Sequence, residues 1–168
     1  RDTARSHERL FFIEVMGRTA GFLALESGIA GGAEELVIPE EEVSIDRISE
    51  RIKKGFTIGK KSAIVVVAEG KRPGISFEIA REVSERLNFD SRVVVLGHLQ
   101  RGGPPTLRDR VLGSLLGFSA VETLMDGRSE CMVGEVGGNL TYTPLEETWQ
   151  KKKPLDRDLQ RIFPFLSE

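Results

Sequence analysis

Charged and polar side chains follow three apolar segments of the sequence, at the points where these segments end. The residues are Met16, Gly17 and Arg18 after LFFIEV, Glu69 after AIVVVA, and His98 and Arg101 after RVVVL. Arginine guanidinium groups match pairs of phosphate oxygens, and glycine turns supply backbone N–H donors. One carboxylate among such cations suits sugar hydroxyl groups. The pattern therefore predicts a sugar-phosphate site.

Each of these residues also has a structural interpretation when it is considered singly. Arg18 and Arg101 could be surface arginines, His98 a hydrogen-bonded structural histidine and Glu69 an ion-pair partner. The segment GRTAG lacks the G-x-G-x-x-G spacing of a dinucleotide site. Ligands of open α/β sheets bind beyond the carboxyl ends of the strands, so the shared position of the four residues favours a ligand site.

The elements that must position these residues alternate between strand and helix. Strands are predicted at Leu10–Val15, Glu35–Ile38, Ala63–Ala68 and Arg92–Leu96, with helical patterns between them. Further signals are Ser44 and Ser76 as helix N-caps, Gly55 as a helix stop, a capping box from Thr106 to Asp109, and a hairpin at residues 137–139. This order predicts an α/β fold of three layers around a mostly parallel sheet.

Composition limits the classes of partner and compartment. The 168 residues have a formal net charge of −2, which argues against nucleic acid or an anionic membrane as the main partner. The single cysteine, Cys131, permits no internal disulfide framework and fits a reducing compartment, so we expect a cytoplasmic protein. No apolar run has the length of a membrane span.

Long motifs of this sequence resemble the second half of the 6-phosphofructokinase family. They are SHERLFFIEVMGRTAGFLALESGIAGGAEELVIPE, VVVAEG and SRVVVLGHLQRGGPPTLRDRVL. The resemblance implies transfer of a phosphoryl group to fructose 6-phosphate in glycolysis, with Mg²⁺ and with ATP or pyrophosphate as the donor. It also implies that residues 1–168 form the fructose 6-phosphate-binding half of such an enzyme, with a phosphofructokinase-like fold.

The resemblance assigns roles to residues at the predicted strand ends. Arg18 would stabilise charge on the transferring group and, with Met16 and Gly17, border the sugar phosphate. The other substrate contacts would be Glu69 to fructose hydroxyls, His98 and Arg101 to the 6-phosphate, and Arg9 and Arg92 to the 6-phosphate of a neighbouring subunit. A site shared in this way implies a homo-oligomer, and the family suggests a tetramer.

A second, allosteric site is implied for a nucleotide diphosphate or phosphoenolpyruvate. Its positions are Arg1, Gly32, Glu34, Lys60 and Lys61, with Glu34 as the contact to the Mg²⁺ of the effector. Ile58 stands where the family commonly has a phosphate-binding arginine. An isoleucine side chain has no hydrogen-bond donor, so we expect weak effector binding. The alternative is that Arg5 or Lys61 supplies the charge instead.

The family's nucleotide loops and catalytic base belong to an N-terminal half that these residues do not contain. We therefore expect an excised part of a kinase that is inactive alone, in which residues after about 103 pack on the absent half. The alternative is a stand-alone, non-catalytic module that senses sugar phosphates. An in-frame glycine-rich segment upstream of Arg1 would favour the first interpretation.

Overall fold

The computed structural model describes residues 9–72 and 74–167, whose contacts divide the chain into two units. One unit runs up to Arg101 and resumes at Leu155, and the other runs from Gly102 to Pro154. The predicted sheet lies entirely in the first unit. The first unit therefore contains all the strand ends at which the sugar-phosphate site is predicted.

Four strands form a parallel sheet in the first unit. They are β1 (Leu10–Val15), β2 (Glu35–Val37), β3 (Ala63–Ala68) and β4 (Ser91–Val95). The order across the sheet is β2-β3-β1-β4, so β1 lies between β3 and β4. Val15 pairs with Ala68 and Glu14 pairs with Val95, which brings three neighbouring strand ends to one level. The predicted arrangement of these strand ends along one edge is confirmed.

Helices cover both faces of the sheet. The helices of the chain are α1 (Phe22–Gly31), α2 (Ile45–Thr57), α3 (Ile75–Leu87), α4 (Leu107–Met125), α5 (Leu145–Gln150) and α6 (Arg157–Leu166). Residues of α1 and α6 join one core cluster, whereas residues of α2 and α3 join the other. All six residues of β3 are buried between these clusters, as a continuously apolar parallel strand requires. The three-layer α/β fold is confirmed.

Of the helix boundaries predicted at Ser44, Gly55 and Ser76, the first is confirmed and the other two are wrong. Ser44 caps α2 by accepting a hydrogen bond from the Arg47 N–H at 3.2 Å. Gly55 does not end α2, because it is buried within the helix and a Cβ there would lie 3.3 Å from Cδ of Lys60. Ser76 is not an N-cap, because it lies inside α3 and its hydroxyl is fully buried against the sheet.

The second unit consists of α4, a hairpin and α5. Thr106 and Asp109 form the predicted capping box, and the Thr106 hydroxyl and N–H hold the pKa of the Asp109 carboxyl below its ordinary value. The hairpin joins β5 (Cys131–Val136) to β6 (Asn139–Pro144) through two glycines with positive φ angles, as a two-residue turn of this kind requires. The hairpin prediction is confirmed, whereas α5 was not predicted.

Helix α4 exposes its large apolar side chains to an unusual degree. Its buried residues are Ser119 and Thr123, while its exposed apolar residues are Leu107, Val111, Leu115, Phe118, Val121, Leu124 and Met125. Most soluble helices show the reverse pattern, with an apolar stripe buried and polar side chains outside.

Among the described residues, no helix has both the length and the hydropathy needed to cross a membrane.

Gly21, which directly precedes α1, lies so close to Ile38, which directly follows β2, that an added methyl group is expected to lower the stability of the protein. A Cβ at Gly21 would lie 2.6 Å from Cβ of Ile38, so Gly21→Ala is expected to destabilise the protein by about 1–3 kcal/mol through overpacking. Gly31 has no such neighbour within 4 Å, so Gly31→Ala is expected to stabilise it by roughly 0.5–1 kcal/mol. Urea unfolding of both variants measures the difference, and equal shifts in midpoint would contradict this account.

Candidate functional site

The turn after β1 places Arg18 at the carboxyl edge of the sheet. Gly17 has a φ angle of +153°, and a Cβ there would lie 2.7 Å from the Ala20 carbonyl oxygen and 3.2 Å from Cβ of Ala68. A side chain at this position would therefore collide with the backbone of its own turn. Because Gly17 allows the chain to turn closely over the end of β3, Arg18 emerges at the surface with an exposed side chain.

Glu69 is fixed beside this turn by two backbone hydrogen bonds. The Glu69 N–H donates to the Val15 carbonyl at 2.9 Å, and the Gly70 N–H donates to the Gly17 carbonyl at 3.2 Å. These bonds continue the pairing of β1 with β3 beyond the last strand residues. The half-buried Glu69 is consequently held next to the Gly17–Arg18 peptide.

His98 and Arg101 lie in a 3₁₀ turn that follows β4. This turn runs from Gly97 to Arg101, and both side chains are exposed. The Leu96 N–H donates to the Glu14 carbonyl at 3.1 Å, which continues the pairing of β4 with β1. The structure therefore brings Met16, Gly17, Arg18, Glu69, His98 and Arg101 to one edge of three neighbouring strands, as the sequence predicts.

The cations of this edge are available to a ligand. Within the described residues, the guanidinium groups of Arg18 and Arg101 take part in no ion pair. Two exposed guanidinium groups, one imidazole and one carboxylate leave positive charge that an anionic ligand with hydroxyl groups can balance. The edge has the chemistry of a sugar-phosphate site.

Arg9 and Arg92 lie at the other end of the strands. Arg9 directly precedes β1, and Arg92 pairs in register with Phe11 near the start of both strands. A six-residue strand is about 20 Å long, so Arg9 lies roughly that distance from the loops that hold Arg18. The structure thus does not bring Arg9 and Arg92 together with the residues of the carboxyl edge.

The buried carboxylate of Glu14 lies near the end of β1, next to this edge, and the sequence patterns did not predict its burial. Glu14, two residues before Met16, is 8% exposed and accepts a hydrogen bond from the Ser76 hydroxyl in the first turn of α3. The bond joins the end of β1 to the helix that follows the Glu69 loop. Only the alternation of side chains along β1, which turns Glu14 to the same face as Phe12, could have indicated its burial.

Several residues of the predicted effector site surround a cleft of about 360 Å³ at the amino edge of the sheet, among them Glu34, Lys60 and Lys61. Glu34 Oε2 accepts a hydrogen bond from the Ile64 N–H at 2.7 Å, and its Oε1 lies 3.8 Å from Lys60 Nζ. Lys60 Nζ also donates to the Ser167 carbonyl at 3.1 Å.

The remaining effector positions lie beside the cleft or outside the described residues. Gly32 ends α1 in a left-handed conformation, two residues before Glu34. Arg1 lies outside the described residues. Ile58 follows the last residue of α2 and is 63% exposed, so it contributes an apolar surface near two lysines.

Among the described residues that line the cleft, Glu34 carries the one carboxylate that a metal could bind. The described residues contain no group of three or more His, Cys, Asp or Glu that could hold a metal ion. Glu34 offers one carboxylate, with Oε1 accepting no backbone hydrogen bond. This fits a Mg²⁺ ion whose other ligands are phosphate oxygens and water.

Comparisons with known proteins agree on one family. The phosphofructokinase family model matches residues 1–124. ATP-dependent 6-phosphofructokinase 1 of Thermus thermophilus is 52% identical over 167 residues, which is 99% of this chain and 52% of that protein. ATP-dependent 6-phosphofructokinase 2 of Bacteroides thetaiotaomicron is 47% identical over 168 residues, again 52% of its length. The chain therefore spans about half the length of these curated relatives.

Solved structures show the same fold. Phosphofructokinase from Saccharomyces cerevisiae matches with a TM-score of 0.81 and 34% identity, over 89% of this chain and 21% of that one. A pyrophosphate-dependent phosphofructokinase from Nitrosospira multiformis has a TM-score of 0.81 at 21% identity, over 99% of this chain and 51% of that one. The second likeness concerns the fold alone.

The buried hydrogen bond between Ser76 and Glu14 is expected to contribute to the free energy of unfolding. Ser76→Ala removes the hydroxyl donor from a buried carboxylate and is expected to cost about 1–3 kcal/mol in urea unfolding. The matched control is Ser114→Ala, where an exposed hydroxyl donates to its own helix, with an expected change within about 0.5 kcal/mol.

The double variant Glu14→Leu with Ser76→Ala tests the same interaction from both sides. Replacing both partners by apolar groups removes the unsatisfied carboxylate, so this variant should be more stable than Ser76→Ala alone. If Ser76→Ala costs no more than Ser114→Ala, the buried pair does not support the edge.

Proposed function

The chain belongs to the phosphofructokinase family, and from this premise we propose that it is the fructose 6-phosphate-binding part of an ATP-dependent 6-phosphofructokinase. The observation that carries the proposal is the sheet order β3-β1-β4, which places Arg18, Glu69, His98 and Arg101 on three adjacent strand ends. The relatives that support ATP as the donor are 47–52% identical to this chain. The single cysteine and the glycolytic reaction are consistent with a cytoplasmic enzyme.

Each residue of the edge has a role that follows from its chemistry. His98 and Arg101, together in one turn, bind the 6-phosphate through charge-assisted hydrogen bonds. Glu69, held next to the Gly17–Arg18 peptide, accepts hydrogen bonds from fructose hydroxyl groups. Arg18 stabilises the charge that develops on the transferring phosphoryl group, while Met16 and Gly17 form the adjoining wall of the site.

The opposite position of Arg9 and Arg92 supports a site shared between subunits. These arginines lie about one strand length from the carboxyl edge of their own chain, so they can serve a sugar phosphate only on a neighbouring copy. We propose that the enzyme is a homo-oligomer, a tetramer by analogy with the family.

The donor and the catalytic Mg²⁺ need residues outside this chain. Phosphoryl transfer depends on positioning both the donor and the acceptor, and the edge described above supplies the acceptor's contacts. The exposed apolar side chains of α4 support a packing contact with this missing part, in which residues after about 103 pack on the donor-binding residues. The chain assayed alone is then expected to show no kinase activity.

Substitutions at the edge test the proposal in the full-length enzyme. Arg101→Ala or His98→Ala removes a charge-assisted hydrogen bond worth about 1.5–3 kcal/mol, so the KM for fructose 6-phosphate should rise about tenfold or more. Arg18→Ala should lower kcat as well, since it removes the positive charge that stabilises the transferring group. A coupled assay that varies fructose 6-phosphate at saturating ATP measures both constants.

The matched control for these variants is Arg81→Ala, an exposed arginine on α3 away from the strand ends. Its kinetic constants should equal those of the wild type. An unchanged saturation curve for Arg101→Ala would remove that arginine from the site. Activity of the 168-residue chain alone would contradict the proposed need for a donor-binding part.

We further propose that the cleft at the amino edge binds phosphate-bearing effectors weakly. Lys60, which lines the cleft, already donates to the Ser167 carbonyl and lies near Glu34, so an entering phosphate must compete with these contacts for Lys60. Ile58 adds neither charge nor a hydrogen bond. Glu34 would supply one oxygen to a Mg²⁺ bound with the effector.

An arginine in place of Ile58 is expected to give a stronger effector response. Ile58→Arg adds a guanidinium group beside the cleft and should strengthen effector binding by about 1–3 kcal/mol. The measurement is a titration of the full-length enzyme with phosphoenolpyruvate and ADP at subsaturating fructose 6-phosphate. The control is Val43→Arg, which adds the same charge at an exposed residue that does not line the cleft. A strong sigmoidal shift in the wild type would contradict the proposal.

A further inference from the structure

Gln100 makes a long-range contact inside the proposed substrate site. It lies in the 3₁₀ turn between His98 and Arg101, and its Oε1 accepts a hydrogen bond from the Met16 N–H at 2.8 Å. The two residues are 84 positions apart, and the bond is partly buried. It joins the turn that carries the proposed 6-phosphate contacts to the turn that carries Arg18.

The backbone pairing explains why a side chain is needed at this point. Alternate residues of β1 direct their backbone groups to opposite neighbours, so Glu14 and Met16 face β4 while Val15 and Gly17 face β3. On the β3 side, the N–H groups of Glu69 and Gly70 continue the pairing. On the β4 side, the chain leaves the strand direction after Leu96 and enters the 3₁₀ turn. The amide oxygen of Gln100 accepts from Met16 where a strand carbonyl would otherwise do so.

We infer that Gln100 is a positioning residue of the substrate site, which holds the Met16–Arg18 turn in register with the His98–Arg101 turn. This inference rests on the proposed function and assigns Gln100 no contact with substrate. The loop of Glu69 is held to β1 by two backbone bonds, whereas the bond from Met16 to Gln100 depends on one side chain. A single substitution can therefore release one side of the site and leave the other in place.

The experiment compares Gln100→Leu with Gln150→Leu in the full-length enzyme. Leucine is similar in size to glutamine but has no acceptor. Gln150 loses an exposed side-chain hydrogen bond to Glu146 in α5, so this variant controls for the same chemical change. Gln100→Leu should raise the KM for fructose 6-phosphate about three- to tenfold and lower kcat, with the KM for ATP unchanged. Gln150→Leu should change none of these constants.

Two further readouts separate positioning from a general effect on folding. Amide hydrogen exchange at Met16 should become faster in Gln100→Leu, because its N–H loses its acceptor. In a double-mutant cycle with Arg18→Ala, the effect of Gln100→Leu on kcat should largely disappear, since Gln100 acts on kcat through the turn of Arg18. If Gln100→Leu folds poorly, Gln100→Asn shortens the side chain by one methylene group and tests the same contact.

The outcomes distinguish this inference from the proposed function. Unchanged exchange at Met16, or an unchanged KM for fructose 6-phosphate in Gln100→Leu, would overturn the positioning role. A loss of stability without any change in the kinetic constants of the folded enzyme would also overturn it. If the wild-type enzyme does not phosphorylate fructose 6-phosphate, the proposed function fails, and Met16 exchange still decides whether Gln100 fixes the turn.

Discussion

The chain that leaves β1 must keep its backbone groups paired where β1 and both of its neighbours end, and the candidate site depends on how it does so. Toward β3 the pairing continues through backbone N–H groups, which fixes the loop of Glu69. Toward β4 it continues through the Leu96 N–H and then through the side chain of Gln100. Unpaired backbone groups at a partly buried strand end would cost free energy, so these bonds stabilise the fold and shape the ligand edge at the same time.

Charge is distributed along the sheet in a way that separates two candidate sites. Arg18 and Arg101, two exposed cations at the carboxyl edge, have no acidic partner among the described residues, whereas Lys60 at the amino edge is close to Glu34 and bonded to a carbonyl. An anion at the carboxyl edge gains charge-assisted bonds without breaking existing ones. An anion at the amino edge must displace protein contacts first, which is a physical reason for a difference in affinity between the two.

Much of the fold and of the site is predictable because it follows from local patterns and one topological rule. Segment length and β-branched content identified β1 and β3 with the boundaries that the structure shows. The rule that ligands bind at the carboxyl ends of parallel strands placed Arg18, Glu69 and His98 on one edge. The rest depends on contacts between distant positions. Ser76 has the residue type of an N-cap, but its hydroxyl serves Glu14, 62 residues away, and Gln100 serves Met16, 84 residues away. No local pattern encodes such pairs.

In the unit from Gly102 to Pro154, the feature without an internal partner is apolar surface on α4. A 19-residue helix whose buried side chains are a serine and a threonine gains little from the hydrophobic effect within its own unit. Its capping box fixes where the helix begins, but such local interactions contribute about 1 kcal/mol each. Burial of even three large apolar side chains contributes about 1.5–3 kcal/mol apiece, so a partner surface would outweigh every local term in α4. The chain spans about half the length of the relatives it matches, and we propose the donor-binding part as the partner surface of this helix.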